Sequence, residues 1–290
     1  MEDRYKELKR AERGAIVSIC AYIFVSGLKL AVGYLAKSEA LQADGLNNLT
    51  DIIGSVTLLI GLKISQVPAD KEHRYGHWKA ENIASMITSF IMLLVGLQVL
   101  TSAVKHILSR QMESPDISAA LVGLVSAVIM YAVYFYNLKL SKSVKSPALL
   151  AAAKDNRSDA WTSIGTAIAV FAASFNLPWL DTAAAIVIGG LIIKTGIDVF
   201  RENAFSLSDG FDDETLDEFK VYVKSIPGVV DVPFIRGRSY GANVFLDIVL
   251  TMDPNMTVRD SHHVTETVEH DLKNKFSVYD IDIHVEPAEK

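Results

Sequence analysis

The chain has 290 residues, half of them apolar, with a mean hydropathy of +0.26 and a net charge of −6. This composition excludes a disordered tail, and the single cysteine, Cys20, excludes a disulfide framework or a Cys-rich zinc or iron–sulfur site. The acidic balance argues against nucleic acid as a partner.

The charge is unevenly spread. Residues 1–205 carry a net +3 and residues 206–290 a net −9. All the long apolar runs fall in the first part. The pattern predicts a membrane domain over 1–205 and an acidic soluble domain over 206–290.

A bilayer core needs about 20 mostly apolar residues in a helix. Six segments are predicted to span, at roughly 14–36, 40–62, 83–104, 117–138, 147–175 and 178–200. The first holds one charge, Lys29, and the third holds none. The second, ALQADGLNNLTDIIGSVTLLIGL, has polar groups well inside it. The fifth is apolar only from Ala160 to Phe175, so the preceding turns with Asp155 and Asp159 fall within the membrane thickness too. Ionisable groups there cost roughly 2.5–3.5 kcal/mol each, and they face a protein interior or a water-filled path.

Short loops rich in Lys and Arg stay inside the cell. With the N-terminus inside, the inner segments hold eleven, among them Arg4, Lys79 and Lys145, against Lys37, Lys105 and Arg110 outside. Six spans then place both termini and the acidic domain in the cytoplasm.

In that domain, Leu216, Phe219, Val223 and Ile226 recur at helical spacing, and Pro227-Gly228 ends the helix. Two strand-like runs follow, VVDVPFIRGR and NVFLDIVLTM, joined at Tyr240-Gly241. A second helix is predicted from about Thr257, with Val264, Val268, Leu272 and Phe276 on one face, and YDIDIHVEP alternates as a last strand. The order αββαβ suits an α+β sandwich with helices on one sheet face.

Asn47 and Asp51 are four residues apart, as are Asp155 and Asp159, so each pair shares a helix face. At 1.5 Å per residue, Asn47 and Asp51 lie roughly 10 and 17 Å from the outer start of their helix. Asp155 and Asp159 lie roughly 12 and 18 Å from the inner start of theirs. In a core of about 30 Å both pairs reach the midplane. Three carboxylates and one amide, with no His or Cys, form an oxygen-only set suited to Mn²⁺, Mg²⁺ or Ca²⁺ rather than Zn²⁺ or Cu. Asp44, three residues before Asn47, either joins this set or hydrogen-bonds within the helix bundle. Side-chain glue between helices is the competing reading of all these groups.

These motifs carry a resemblance. Asp44-Gly45-Leu46-Asn47-Asn48-Leu49-Thr50-Asp51, the loop Asp70-Lys71-Glu72-His73-Arg74-Tyr75-Gly76-His77-Trp78-Lys79, and Asp155-Asn156-Arg157-Ser158-Asp159 stand in the order found in cation diffusion facilitators. The resemblance covers nearly the whole chain. It implies an α-helical membrane protein with six transmembrane helices and a cytoplasmic ferredoxin-like domain, working as a homodimer. It implies a transport site of Asn47, Asp51, Asp155 and Asp159. Asn and Asp at the leading positions, where zinc members usually have His, resemble the family's manganese branch. The implied function is export of Mn²⁺ by alternating access in exchange for protons, with Zn²⁺, Fe²⁺, Co²⁺ or Cd²⁺ as alternative cargo. No resident cofactor and no enzymatic activity are implied, and no H-E-x-x-H motif is present. A channel or a metal sensor is the reading from outside the class. The implied location is the cell membrane.

Three further groups follow from the same resemblance. His73 and His77, spaced for one helix face, form with Asp70 either a loop metal site or a turn that starts the third span. Asp282, His284 and Glu286 share one strand face by the period of two. With His262 they form either a cytoplasmic metal site or a solvated face, and Pro233 and Val249 stand where zinc members often have His. Lys79, Asp209 and Arg238 match a charge network between the membrane and cytoplasmic domains. His106 and His270 fit no pattern and are read as surface residues.

Overall fold

A computed structural model describes residues 2–65, 67–109, 114–144, 147–175, 177–240 and 243–288. Arg110, Lys145 and Gly241 lie outside the described residues. Six long helices come first: α1 (Glu2–Leu35), α2 (Glu39–Ser65), α3 (Ala80–Ser109), α4 (Ile117–Val144), α5 (Pro147–Ala173) and α6 (Trp179–Leu207). Then follow α7 (Asp213–Lys224), β1 (Asp231–Tyr240), β2 (Asn243–Met252), α8 (Val258–Phe276) and β3 (Asp280–Pro287). The αββαβ order agrees with the periodicity. α1 begins well before the apolar run, because its charged opening is built of good helix formers with no Gly or Pro to stop it.

Ile16–Leu35, Asn82–Ser109, Ile117–Ser143 and Trp179–Leu207 are long and apolar enough to cross a membrane. α2 and α5, which carry the polar motifs, have 27 residues each, about 40 Å at 1.5 Å per residue.

By contacts the chain forms two units, Met1–Thr57 with Ile87–Asp198, and Leu58–Met86 with Val199–Lys290. In the first, α4 packs along α5 and α1. Tyr22, Val25, Met130 and Ala160 form one buried cluster, and Ala43, Met92, Val99, Ile188 and Ile192 form another. Leu94 is 68% exposed and Val128 63%. Large apolar side chains on the outside fit a bundle whose solvent is lipid rather than water. Asp181 of α6 caps the start of α2, accepting from the Glu39 backbone N–H at 2.6 Å and the Ser38 hydroxyl at 2.7 Å. α1 and α2 approach closely at Gly45, where a Cβ would meet Leu30 at 3.0 Å and Lys29 at 3.1 Å.

In the second unit the sheet order is β1-β2-β3. β1 and β2 are antiparallel, with Arg236 opposite Asp247. β2 and β3 are parallel, with Asp247 opposite Asp282 and Val249 opposite His284, as the α8 crossover requires. Leu246, Ile248, Leu250 and Met252 alternate into one core with Phe219 and Val223 of α7 and Val268 and Leu272 of α8. Both helices are capped, α7 by Asp212 and α8 by Thr257.

Candidate metal centre

The two motif helices converge. The Asn47 Nδ2 lies 3.5 Å from Asp51 Oδ2 on its own helix and 3.4 Å from Asp159 Oδ1 on α5. Asp159 is 8% exposed, while Asn47 and Asp51 are half-buried. One turn of α2 brings Asn47 and Asp51 together, and packing of α5 adds Asp159. The amide hydrogens thus sit between two carboxylates. An amide nitrogen cannot ligate a cation, but its oxygen can. A half-turn about the terminal torsion of Asn47 presents Oδ1 to the same point and gives a divalent ion one neutral and two anionic oxygens.

The other motif carboxylates are placed differently. Asp155 lies one turn before Asp159 on α5, is exposed, and accepts no side-chain hydrogen bond among the described residues. Asp44 is fully buried and pairs with Lys29 at 2.8 Å. Asp44 thus has an ion-pair partner within the bundle, and neither of its oxygens has a hydrogen-bond partner among the described residues.

Residues of α1 that sequence patterning did not single out complete the site. The Tyr22 hydroxyl donates to Asp159 Oδ2 at 2.5 Å. It accepts from Asn156 Nδ2 at 3.0 Å. Asn156 Oδ1 accepts from Asn137 Nδ2 at 3.0 Å and from the Ser18 hydroxyl at 3.1 Å. This buried chain of donors joins α4 and α1 to Asp159. The available signal was the spacing of Ser18, Tyr22, Ser26 and Lys29 on one face of an otherwise apolar helix.

In the second unit, Asp70, His73 and His77 hold ligand atoms within 4.8 Å of one another. They do not share a helix face. Both histidines precede α3 in a turn, where the His73 carbonyl accepts from the Gly76 N–H at 2.9 Å and Gly76 takes φ +85°. Gly76, with its positive φ, breaks the helical spacing that the sequence suggested. Backbone N–H groups of His73 and Glu72 hold the Asp70 carboxyl below its usual range. The His73 and His77 rings lie 4.2 Å apart.

The candidate site residues of the C-terminal domain are not gathered. Asp282, His284 and Glu286 share the exposed face of β3, with His284 3.7 Å from Glu286. His262 sits on α8 beside Glu266 at 3.4 Å. Lys79 pairs with Asp209 at 3.0 Å and lies 4.3 Å from the Tyr240 ring centre. Arg238 instead pairs with Asp247 at 3.3 Å. His106 is exposed as expected, yet it has a partner in Glu39. His270 lies beside Asp271 at 3.5 Å.

Two family models match the chain. The cation efflux transmembrane domain covers residues 15–208. The cytoplasmic domain of cation efflux proteins covers residues 211–288. The manganese efflux system protein MneS of Bacillus subtilis is 50% identical over 288 residues, 99% of each chain. The uncharacterized transporter YdbO of the same organism is 46% identical over 98% of each. Its manganese efflux system protein MneP is 28% identical over 94% of this chain and 95% of that one.

Proposed function

The chain belongs to the cation efflux family of divalent-cation exporters, and from that premise we propose that it exports Mn²⁺ through a site made by Asn47, Asp51, Asp155 and Asp159. The observation that carries this reading is the Asn47 amide held between Asp51 and Asp159 in an apolar helix bundle. Ionisable groups inside such a bundle are costly, and they mark ion paths. The ligands are oxygens, with no sulfur or imidazole among them, which suits Mn²⁺. Names carried by similar proteins support the same cargo.

In this reading all six long helices span the membrane, α2 and α5 included, with both termini in the cytoplasm and the protein in the cell membrane. Residues 1–205 form the transport domain and 206–290 the regulatory and dimerisation domain of a homodimer. The Asp70, His73 and His77 group, and the face carrying Asp282, His284 and Glu286, serve as accessory cation sites. Transport is alternating access, and protons compete with the ion for the carboxylates. The protein has no catalytic residue and no resident cofactor.

Uptake of Mn²⁺ and Zn²⁺ into vesicles holding the purified protein, with and without a pH gradient, tests this. Mn²⁺ uptake coupled to proton counterflow is expected. Zn²⁺ uptake without Mn²⁺ uptake overturns the cargo, and Mn²⁺ flux that moves no protons overturns the exchange.

A further inference from the structure

Lys29 is fully buried among apolar helices. Its ammonium donates to Asn48 Oδ1 at 2.7 Å and to Ser163 Oγ at 2.7 Å, and it forms an ion pair with Asp44 Oδ2 at 2.8 Å. The acceptors bracket the candidate site. Asn48 follows Asn47 on α2. Ser163 lies one turn beyond Asp159 on α5, and its hydroxyl donates to the Asp159 carbonyl at 2.9 Å. Nearby, Ser26 of α1 donates to the Gly45 carbonyl at 2.9 Å. One ammonium therefore ties α1 to both helices that carry the site carboxylates.

We propose that Lys29 is a positioning residue for the cation site. It sets the separation of Asp51 from Asp159 through Asn48 and Ser163, and it keeps Asp44 out of the ligand set by pairing with it. The proposal rests on the transport-site reading above.

Two physical arguments favour this over a simple helix staple. A buried ion pair is often no more stable than apolar residues of the same volume, so stability alone does not call for one. A fixed positive charge near a cation site also repels the ion. Pairing with Asp44 cancels most of that repulsion and leaves the hydrogen bonds to Asn48 and Ser163 as the gain. The bonded partners lie directly behind the site residues, where such groups orient ligands.

The test uses full-length protein in vesicles, with uptake measured over a range of Mn²⁺ concentrations. Lys29→Met with Asp44→Leu removes the pair without leaving a lone buried charge. Half-saturating Mn²⁺ is expected to rise about tenfold or more, the usual cost of losing a partner behind a metal ligand, while the maximal rate falls less. Ser163→Ala, a smaller change, is expected to raise it in the same direction. Wild-type half-saturation in the folded double variant overturns the proposal. If that variant does not fold, an unchanged value in Ser163→Ala overturns it. Asp51→Ala is run alongside. Wild-type uptake there overturns the transport site itself, whereas lost uptake there with unchanged Lys29 and Ser163 variants overturns only the role of Lys29.

Discussion

Tyr22 of α1 donates its hydroxyl to Asp159 of α5 across 2.5 Å. The carboxylate supplied by the second motif is therefore oriented from outside both motif helices. Asn156 donates to the same hydroxyl, so the proton of Tyr22 is directed at Asp159.

Tyr22→Phe removes that donor and leaves the Asn156 amide without an acceptor. An orphaned buried donor costs about 1–3 kcal/mol, which a bundle of this size tolerates. The variant is expected to fold, with half-saturating Mn²⁺ raised several-fold, near the low end of the roughly 10–100-fold range for orienting partners. Concentration-dependent uptake checks it, and an unchanged curve would show that Asp159 needs no support from α1.

Asp51→Ala and Asp159→Ala are each expected to abolish transport and leave the protein folded. Each change removes the desolvation cost of a carboxylate in the bundle, and the Tyr22 hydroxyl that Asp159→Ala orphans costs about 1–3 kcal/mol, as in Tyr22→Phe. Mn²⁺ uptake, with size-exclusion behaviour as the control for folding, decides this. Uptake at the wild-type rate in either variant would place the site elsewhere.

Asn47→His with Asp155→His brings imidazole to the leading motif positions, a ligand that suits Zn²⁺. Competition between Zn²⁺ and Mn²⁺ at fixed pH is expected to shift toward Zn²⁺. Because Asp155 is exposed and one turn from Asp159, the single changes separate its part from that of Asn47. Intermediate ratios in both mean that both residues touch the ion, and an unchanged ratio in an active double variant refutes a role in metal choice.

Changing Asp282, His284 and Glu286 together to Ala is expected to shift the Mn²⁺ concentration for half-maximal transport and to spare most of the maximal rate. These side chains lie on an exposed face and support no core, so folding is unaffected. The net −9 over residues 206–290 concentrates cations nearby with or without them. Complete loss of uptake in a folded variant would make this face obligatory.

By itself the sequence determined the elements and the motif pairs. Apolar runs of membrane length mark long helices, and periods of two and about four mark the αββαβ domain. The spacing of Asn47 from Asp51 places both on one face. All of these are local, because they depend only on how a helix or strand turns. Only the tertiary structure decided which polar groups cooperate. Tyr22 meets Asp159 across 137 positions, Lys29 meets Ser163 across 134, and Asn47 meets Asp159 across 112. Contacts so distant in the chain depend on how helices pack, at places such as Gly45 where the absence of a side chain lets α1 approach α2. The same packing paired Asp44 with Lys29 and left Asp155 exposed. A four-residue spacing states that two side chains can share a face of a helix. Burial among neighbouring helices determines what that face meets, and for His73 and His77 the chain has no helix there at all, because Gly76 turns it with a positive φ.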